Sequence, residues 1–203
     1  PPGETAQGYD DFDVLQWQFT VIKFFEQVLG ANRLSIVGEV GGNRVSSLPS
    51  DTLGLRYGRS PIYGTGAFEP ILIPVAPGVA LPLTCEEGFP LGGVAPPNYT
   101  ASNCTSDGYV TDTSWGYRIR GSLTYNDAFM GINLTPNFAW AHDVDGYSPN
   151  SNFNEGSKAF SIGLNADYLN KYTASVSYTD FSGGDYNTQK DRDFLSVSFG
   201  IIF

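Results

Sequence analysis

Hydrophobic and polar residues alternate along most of this chain. The clearest segment is 114–125, whose apolar parity holds Trp115, Tyr117, Ile119, Leu123 and Tyr125. Its other parity is polar or small and includes Arg118 and Arg120. A period of two indicates a β-strand with one apolar and one polar face. The pattern recurs at 15–21, 34–40, 130–140, 159–168, 172–178 and 195–203. We therefore predict an all-β antiparallel fold with about seven strands and no long amphipathic helix.

The connections between these segments alternate between short and long. Asn126–Ala128 and Leu169–Lys171 indicate tight turns, whereas about 42–112, 143–157 and 180–191 are long loops. Short turns at one rim and long loops at the other are typical of an outer-membrane barrel. A soluble β-sandwich also buries one face of each strand and is the alternative. Polar faces of Ser, Thr, Asn, Gln and Gly, with aromatic residues toward the strand ends, favour the transmembrane barrel.

The composition narrows the classes of function. The 203 residues carry 21 acidic and 11 basic side chains, a net charge of −10 that disfavours nucleic-acid binding. Only 16% of residues are charged, against ~25% in ordinary soluble domains, so little charge is available for a water-facing surface. One His and two Cys leave no His/Cys cluster for a metal. We expect neither a metal site nor a cofactor.

The strand count bears on the organisation of the chain. We expect residues 1–203 to form one barrel domain, or the C-terminal portion of a barrel, with an extracellular loop at about 42–112. A closed bacterial barrel has an even number of strands and both ends in the periplasm. Seven strands therefore predict the C-terminal part of a larger barrel, with one overlooked strand as the alternative. The first residues have no signal-peptide pattern, which suggests a mature or partial product.

Several short motifs carry a resemblance to a known family. The closing strand Phe194–Phe203 resembles the C-terminal signal that bacterial outer-membrane proteins present to their assembly machinery. The segments Asp13-Val14-Leu15-Gln16, Leu29-Gly30-Ala31-Asn32, Gly38-Glu39-Val40-Gly41 and Asp191-Arg192-Asp193-Phe194 are similar to a family of large proteobacterial outer-membrane barrels, domain of unknown function 1302. The resemblance implies an outer-membrane channel or transporter-like protein that handles hydrophobic compounds beside export machinery. It implies no catalytic residues.

The long loop holds an unusual apolar segment, Ile71–Leu83, which Pro74, Pro77 and Pro82 interrupt. We expect this segment to constrict or cap the pore, and contact with another subunit is the alternative. Cys85 and Cys104 lie 19 residues apart in a Gly- and Pro-rich stretch, which favours a disulfide in an oxidising compartment over two free thiols. Arg56 and Arg59 are candidate ligand contacts in the same loop.

Charged side chains on the polar parity are the candidate lumenal contacts. They are Arg33, Glu39, Arg118, Arg120 and Asp167. A pair of arginines on one strand can select anions or hold a ligand carboxylate. The alternative is structural, since lumenal arginines also pair with acids across a barrel.

We expect an outer-membrane channel or transporter-like barrel that passes or exports a small hydrophobic or amphipathic solute. The alternative is an anchor or adhesin closed by its own loops. An enzyme is not expected, because the sole imidazole, His142, has the lipid-facing parity. The long loops and first residues hold 16 of the 21 acids, which suits lipopolysaccharide bridged by divalent cations. Expected partners are outer-membrane lipid and lipopolysaccharide, with export machinery or a homo-oligomer as further partners.

Overall fold

The computed structural model describes residues 10–49, 57–59, 71–83 and 107–202. It contains the strands β1 (Val14–Glu26), β2 (Arg33–Val45), β3 (Ile71–Ala76), β4 (Val79–Leu83), β5 (Thr113–Phe129), β6 (Ile132–Asp145), β7 (Lys158–Tyr168), β8 (Tyr172–Ser182) and β9 (Phe194–Ile201). Seven strands form one antiparallel sheet in the order β1-β2-β5-β6-β7-β8-β9, and β3 pairs with β4 separately. The all-β antiparallel prediction is confirmed. In this part of the chain no helix is long and apolar enough to cross a membrane.

The sheet is open, with β1 and β9 as its edges. In this sheet β1 pairs with β2, and each strand from β5 to β8 pairs with the strand that follows it in sequence. The remaining pair, β2 with β5, joins strands on either side of the long connection. Two of these neighbouring pairs result from short turns, since Met130–Gly131 returns the chain from β5 to β6 and Leu169–Lys171 returns it from β7 to β8.

Strand register aligns the two parities into two continuous faces. On one face Val40 lies beside Tyr117, which lies beside His142. One residue away, Glu39 lies beside Arg118 on the opposite face. Because the side-chain period is two, every apolar parity predicted from the sequence falls on the same side of the sheet.

Both faces leave large side chains exposed. On the apolar face of β9, Leu195, Val197, Phe199 and Ile201 are 54–83% exposed. Apart from Ala31 in the β1–β2 turn, the residues with buried side chains gather at the end of the sheet that carries the long loops: Asn43, Val45, Arg59, Tyr109, Ser114, Tyr147, Ser148 and Phe153. The compact core therefore lies among the loops and not between sheet layers.

Several predicted boundaries are wrong: the loops expected from residues 143 and 180 begin after Asp145 and Ser182, and the second of them ends at Phe194 instead of after residue 191. The turn expected at Asn126–Ala128 falls at Met130–Gly131, because β5 continues to Phe129 through an irregularity in its pairing with β6. The Asp127 carboxylate stabilises this turn by accepting a 2.7 Å hydrogen bond from the amide of Gly131. The loop expected from residue 42 begins after Val45. The tight turn at Leu169–Lys171 is confirmed.

The apolar segment Ile71–Leu83 forms a hairpin, which the sequence pattern did not reveal. Pro77 and Gly78 make its turn, and Gly78 has the positive φ of 77° that this turn geometry requires. Prolines are compatible with a two-stranded hairpin because each strand has one unpaired edge. No contact joins this hairpin to the seven described strands of the sheet, so its constricting or capping role stays a prediction.

Candidate functional site

A cavity of about 210 Å³ opens on the polar face of the sheet, near the long-loop end. Three neighbouring strands and the loop between β6 and β7 line it, with Gln18, Glu39, Gly41, Gly116, Arg118 and Phe153 among the lining residues. The strand residues share one face because they have the same parity in aligned strands.

The Glu39 side chain is held toward β1. Its Oε2 accepts a hydrogen bond from Gln18 Nε2 at 2.7 Å and another from Thr20 Oγ1 at 3.4 Å. Both donors lie on the polar parity of β1: Thr20 is the register partner of Glu39, and Gln18 is two residues before Thr20. The carboxylate is therefore fixed by neutral donors.

The Arg118 side chain is held toward β6. Its Nη2 donates to Asp143 Oδ1 at 3.2 Å, in an ion pair whose arginine side chain is 40% exposed and whose aspartate is 14% exposed. The other oxygen, Asp143 Oδ2, accepts a hydrogen bond from the amide of Asn154 at 3.1 Å. Asp143 thus ties Arg118 to the loop that covers the cavity, and Arg118 pairs with an acid as the structural interpretation of the lumenal arginines predicts.

Phe153 covers the cavity from the loop between β6 and β7. The ring is 7% exposed and its centroid lies 5.9 Å from the Arg118 guanidinium. Two hydrogen bonds between the same residues fix the loop, since the Phe153 amide donates to the Ser148 hydroxyl oxygen at 2.8 Å and the Ser148 amide donates to the Phe153 carbonyl at 3.1 Å. The loop consequently folds back over the polar face.

Arg59 ties the long connection to the same loop. Its Nε donates to the Gly108 carbonyl at 2.8 Å, and its Nη2 donates to Asn154 Oδ1 at 2.7 Å. The guanidinium lies 4.3 Å above the Tyr147 ring, and Arg59 is only 5% exposed. Burial lowers the pKa of Arg59 and raises the pKa of Tyr147. Arg59, a predicted ligand contact, thus binds groups of its own chain.

The other predicted strand residues, Arg33, Arg120 and Asp167, lie on the polar face but apart from the cavity. Arg120 is two residues beyond Arg118, is exposed, and forms no ion pair within the described residues. At the short-turn rim, Arg33 Nε donates to Glu26 Oε1 at 2.9 Å. At the same rim, Asp167 Oδ1 accepts a hydrogen bond from the Asn170 amide at 3.2 Å. Arg56, Cys85 and Cys104 lie outside the described residues, so the ligand contact and the disulfide stay predictions.

The model of the family described as "Protein of unknown function (DUF1302)" matches residues 1–203. The chain belongs to the DUF1302 family. No curated protein and no solved structure matches it. The family resemblance carried by the short strand and turn motifs is confirmed.

Sequence reasoning on this DUF1302 chain found Glu39 and Arg118 but missed three other residues of the site. Gln18 lies on the polar parity of β1, so the alternation already places it beside Glu39. Asp143 continues the polar parity of β6 beyond the segment in which the alternation was read. Phe153 has no such signal, because it lies in a loop where periodicity conveys nothing about direction.

Proposed function

We propose that this DUF1302 chain is part of a transmembrane β-barrel of the bacterial outer membrane, and that the barrel passes a small hydrophobic or amphipathic solute. The observation that carries the proposal is the apolar face, which extends over all seven strands, with its large side chains exposed on β1 and β9 and exposed or half-buried on the strands between them. Soluble monomers rarely expose a contiguous apolar patch beyond a few hundred Å². Lipid is the solvent that such a face suits, because it removes the whole apolar surface from water.

The spacing of aromatic residues along β5 supports a membrane band. Trp115 and Tyr125 share the apolar parity, and ten residues separate them. Ten residues at ~3.4 Å each span roughly 34 Å along the strand. At a barrel tilt of ~40° the vertical distance is about 26 Å, which matches the apolar band of about 25 Å between aromatic girdles in outer-membrane barrels.

Closure of the barrel requires partners for the two sheet edges, β1 and β9. An unpaired strand edge in hydrocarbon leaves backbone N–H and C=O groups without hydrogen bonds, so lipid-exposed sheets close. Further strands of the same polypeptide would close this sheet into a larger barrel. Its acidic loops would then lie outside the cell, where divalent cations bridge carboxylates to the phosphates of lipopolysaccharide.

The polar face suits a wet interior that conducts but does not catalyse. Small hydroxyl side chains bond to one another across its strands, as Ser175 does with Ser198 at 2.7 Å and Thr179 with Ser161 at 3.1 Å. His142 lies on the other face, with its ring 5.6 Å from that of Tyr117. We therefore propose a passive pathway and no enzymatic activity.

A second candidate is an anchor or adhesin barrel closed by its own loops. The buried loop cluster favours this candidate, because Tyr109, Tyr147 and Phe153 are buried in the loops at this end and Phe153 covers the polar-face cavity. A barrel filled by such a plug would not conduct.

Single-channel recording of the complete polypeptide in planar bilayers separates the two candidates. We expect discrete conductance steps, and a larger step for Phe153→Ala because the ring covers the polar-face cavity. The matched control is Phe160→Ala, which removes a ring from the apolar face and should leave the step unchanged. A silent bilayer with both wild type and Phe153→Ala would refute solute passage and favour the anchor.

A further inference from the structure

We propose that the cavity between Glu39 and Arg118 binds zwitterionic solutes, with Glu39 receiving the cationic group and Arg118 the anionic group. The proposal rests on the proposed passage of solutes and names the chemical class that the polar face selects.

Glu39 and Arg118 carry opposite charges on neighbouring strands but do not pair with each other. Glu39 and Arg118 are direct register partners on β2 and β5. Side chains in such positions have Cβ atoms about 5 Å apart, so a direct ion pair is the expected outcome. Within the described residues no hydrogen bond or ion pair joins them, because Glu39 is held by β1 and Arg118 by Asp143.

The space beside these two side chains is shaped by glycines. Gly41 and Gly116 are also direct register partners, two residues along on the same face. Two glycines opposite each other leave a floor without side chains next to the separated charges. A Cβ on Gly116 would lie 2.7 Å from the His142 carbonyl oxygen, so the close approach of β6 requires glycine there. Phe153 covers the same space from above.

The Glu39 and Arg118 side chains each keep atoms that can still form hydrogen bonds. Both bonds to Glu39 use Oε2, which leaves Oε1 without a partner among the described residues. Arg118 uses only Nη2, which leaves its Nη1 and Nε hydrogens available. A solute that enters the cavity thus meets a free acceptor on the Glu39 carboxylate and free donors on the Arg118 guanidinium.

These features favour a solute that carries both charges. In this half-open space an anionic solute beside Arg118 is repelled by the Glu39 carboxylate, and a cationic solute beside Glu39 is repelled by the Arg118 guanidinium, of which only Nη2 pairs with Asp143. A zwitterion compensates both, and the Phe153 ring contacts its apolar part. The cavity of about 210 Å³ is below the ~300 Å³ lower end of drug-sized pockets, so it suits a small molecule.

Three matched probes test the proposal on the complete polypeptide in lipid nanodiscs. Phenylalanine carries an ammonium and a carboxylate, phenylacetate only the carboxylate, and phenethylamine only the ammonium. In NMR titrations we expect phenylalanine to bind at least about tenfold more tightly than either singly charged probe. Each of those probes lacks one charged group and therefore forms one charge-assisted hydrogen bond fewer than phenylalanine. Glu39→Gln should abolish the margin over phenylacetate, and Arg118→Gln should abolish the margin over phenethylamine.

The control variant is Arg33→Gln, whose arginine lies on the same face at the far rim and should leave both margins intact. Equal affinities of the three probes for wild type, or no saturable binding of any, overturn the proposal without need of a variant. Margins that survive both Glu39→Gln and Arg118→Gln also overturn it. Conductance of the same preparation separates this test from the proposed function. If phenylalanine binds more tightly than the other probes but no conductance is seen, the zwitterion site is retained and solute passage is refuted. If conductance is seen but the three probes bind equally, solute passage is retained and the zwitterion site is refuted.

Discussion

Replacing Arg59 by methionine should release the long connection from the loop between β6 and β7. Methionine keeps an unbranched chain of similar length but removes the charge and all donors. The variant loses the bonds to the Gly108 carbonyl and Asn154 Oδ1 and the cation–π contact with Tyr147. Apart from these contacts, the sheet pairing is unchanged, so the effect should be local.

The magnitude follows from the contacts and the burial of Arg59. Two hydrogen bonds from a charged donor contribute ~1.5–3 kcal/mol each. A desolvated cation–π contact adds about 2 kcal/mol. Against these gains stands the several kcal/mol that it costs to bury a guanidinium that is only 5% exposed, a cost that methionine avoids. We expect a net local destabilisation of about 2–3 kcal/mol.

Hydrogen exchange measured by mass spectrometry checks this value. A loss of about 2–3 kcal/mol corresponds to a roughly 30- to 150-fold loss of protection. The loss should be confined to peptides covering residues 107–111 and 146–157. Arg59→Lys should lie between wild type and Arg59→Met, because lysine keeps the charge but not the planar fork. Unchanged exchange in 146–157, or an equal change on replacing the exposed Arg192 by methionine, would refute the reasoning.

Two further predictions concern the sheet. Gly121→Ala should lower the free energy of unfolding in urea by about 1–3 kcal/mol, because the added Cβ would collide with the Phe138 ring. The control is Gly38→Ala, which adds a Cβ to open space on the same face and should leave the free energy of unfolding unchanged. Leu164→Arg should destabilise the protein in lipid vesicles by about 2–4 kcal/mol and Asn165→Arg by much less, if the apolar face meets lipid. Equal effects of the two arginines would contradict that orientation.

Alternation in the sequence determines the sheet well because it fixes the face on which each strand residue lies, for near and distant strand pairs alike. Tyr117 and His142 share a parity, and their rings lie in contact. Glu39 and Arg118 share the other parity and lie side by side. In such a sheet the parity of a residue decides its face, whatever its exact register.

Alternation fails where the backbone direction is set by distant contacts. Arg59 resembles any exposed loop arginine in sequence, since arginines are mostly exposed. Its burial depends on Asn154, 95 residues later, and on the Gly108 carbonyl, neither of which a local pattern shows. The β3–β4 hairpin was missed for another reason, since three prolines within 13 residues argue against strands unless each strand has a free edge.

The pairing of β2 with β5 has a consequence for how this protein folds and varies. The two strands are neighbours in the sheet although residues 46–112 separate them in sequence. The hairpin β1–β2 and the meander β5–β9 are thus two units in which consecutive strands pair, and the β2–β5 pair joins them. Loop-closure entropy grows only logarithmically, about 0.6 kcal/mol for each doubling of length. Changes in the length of the 46–112 connection therefore alter the free energy of pairing β2 with β5 little, and this connection is free to vary in length while the sheet stays the same.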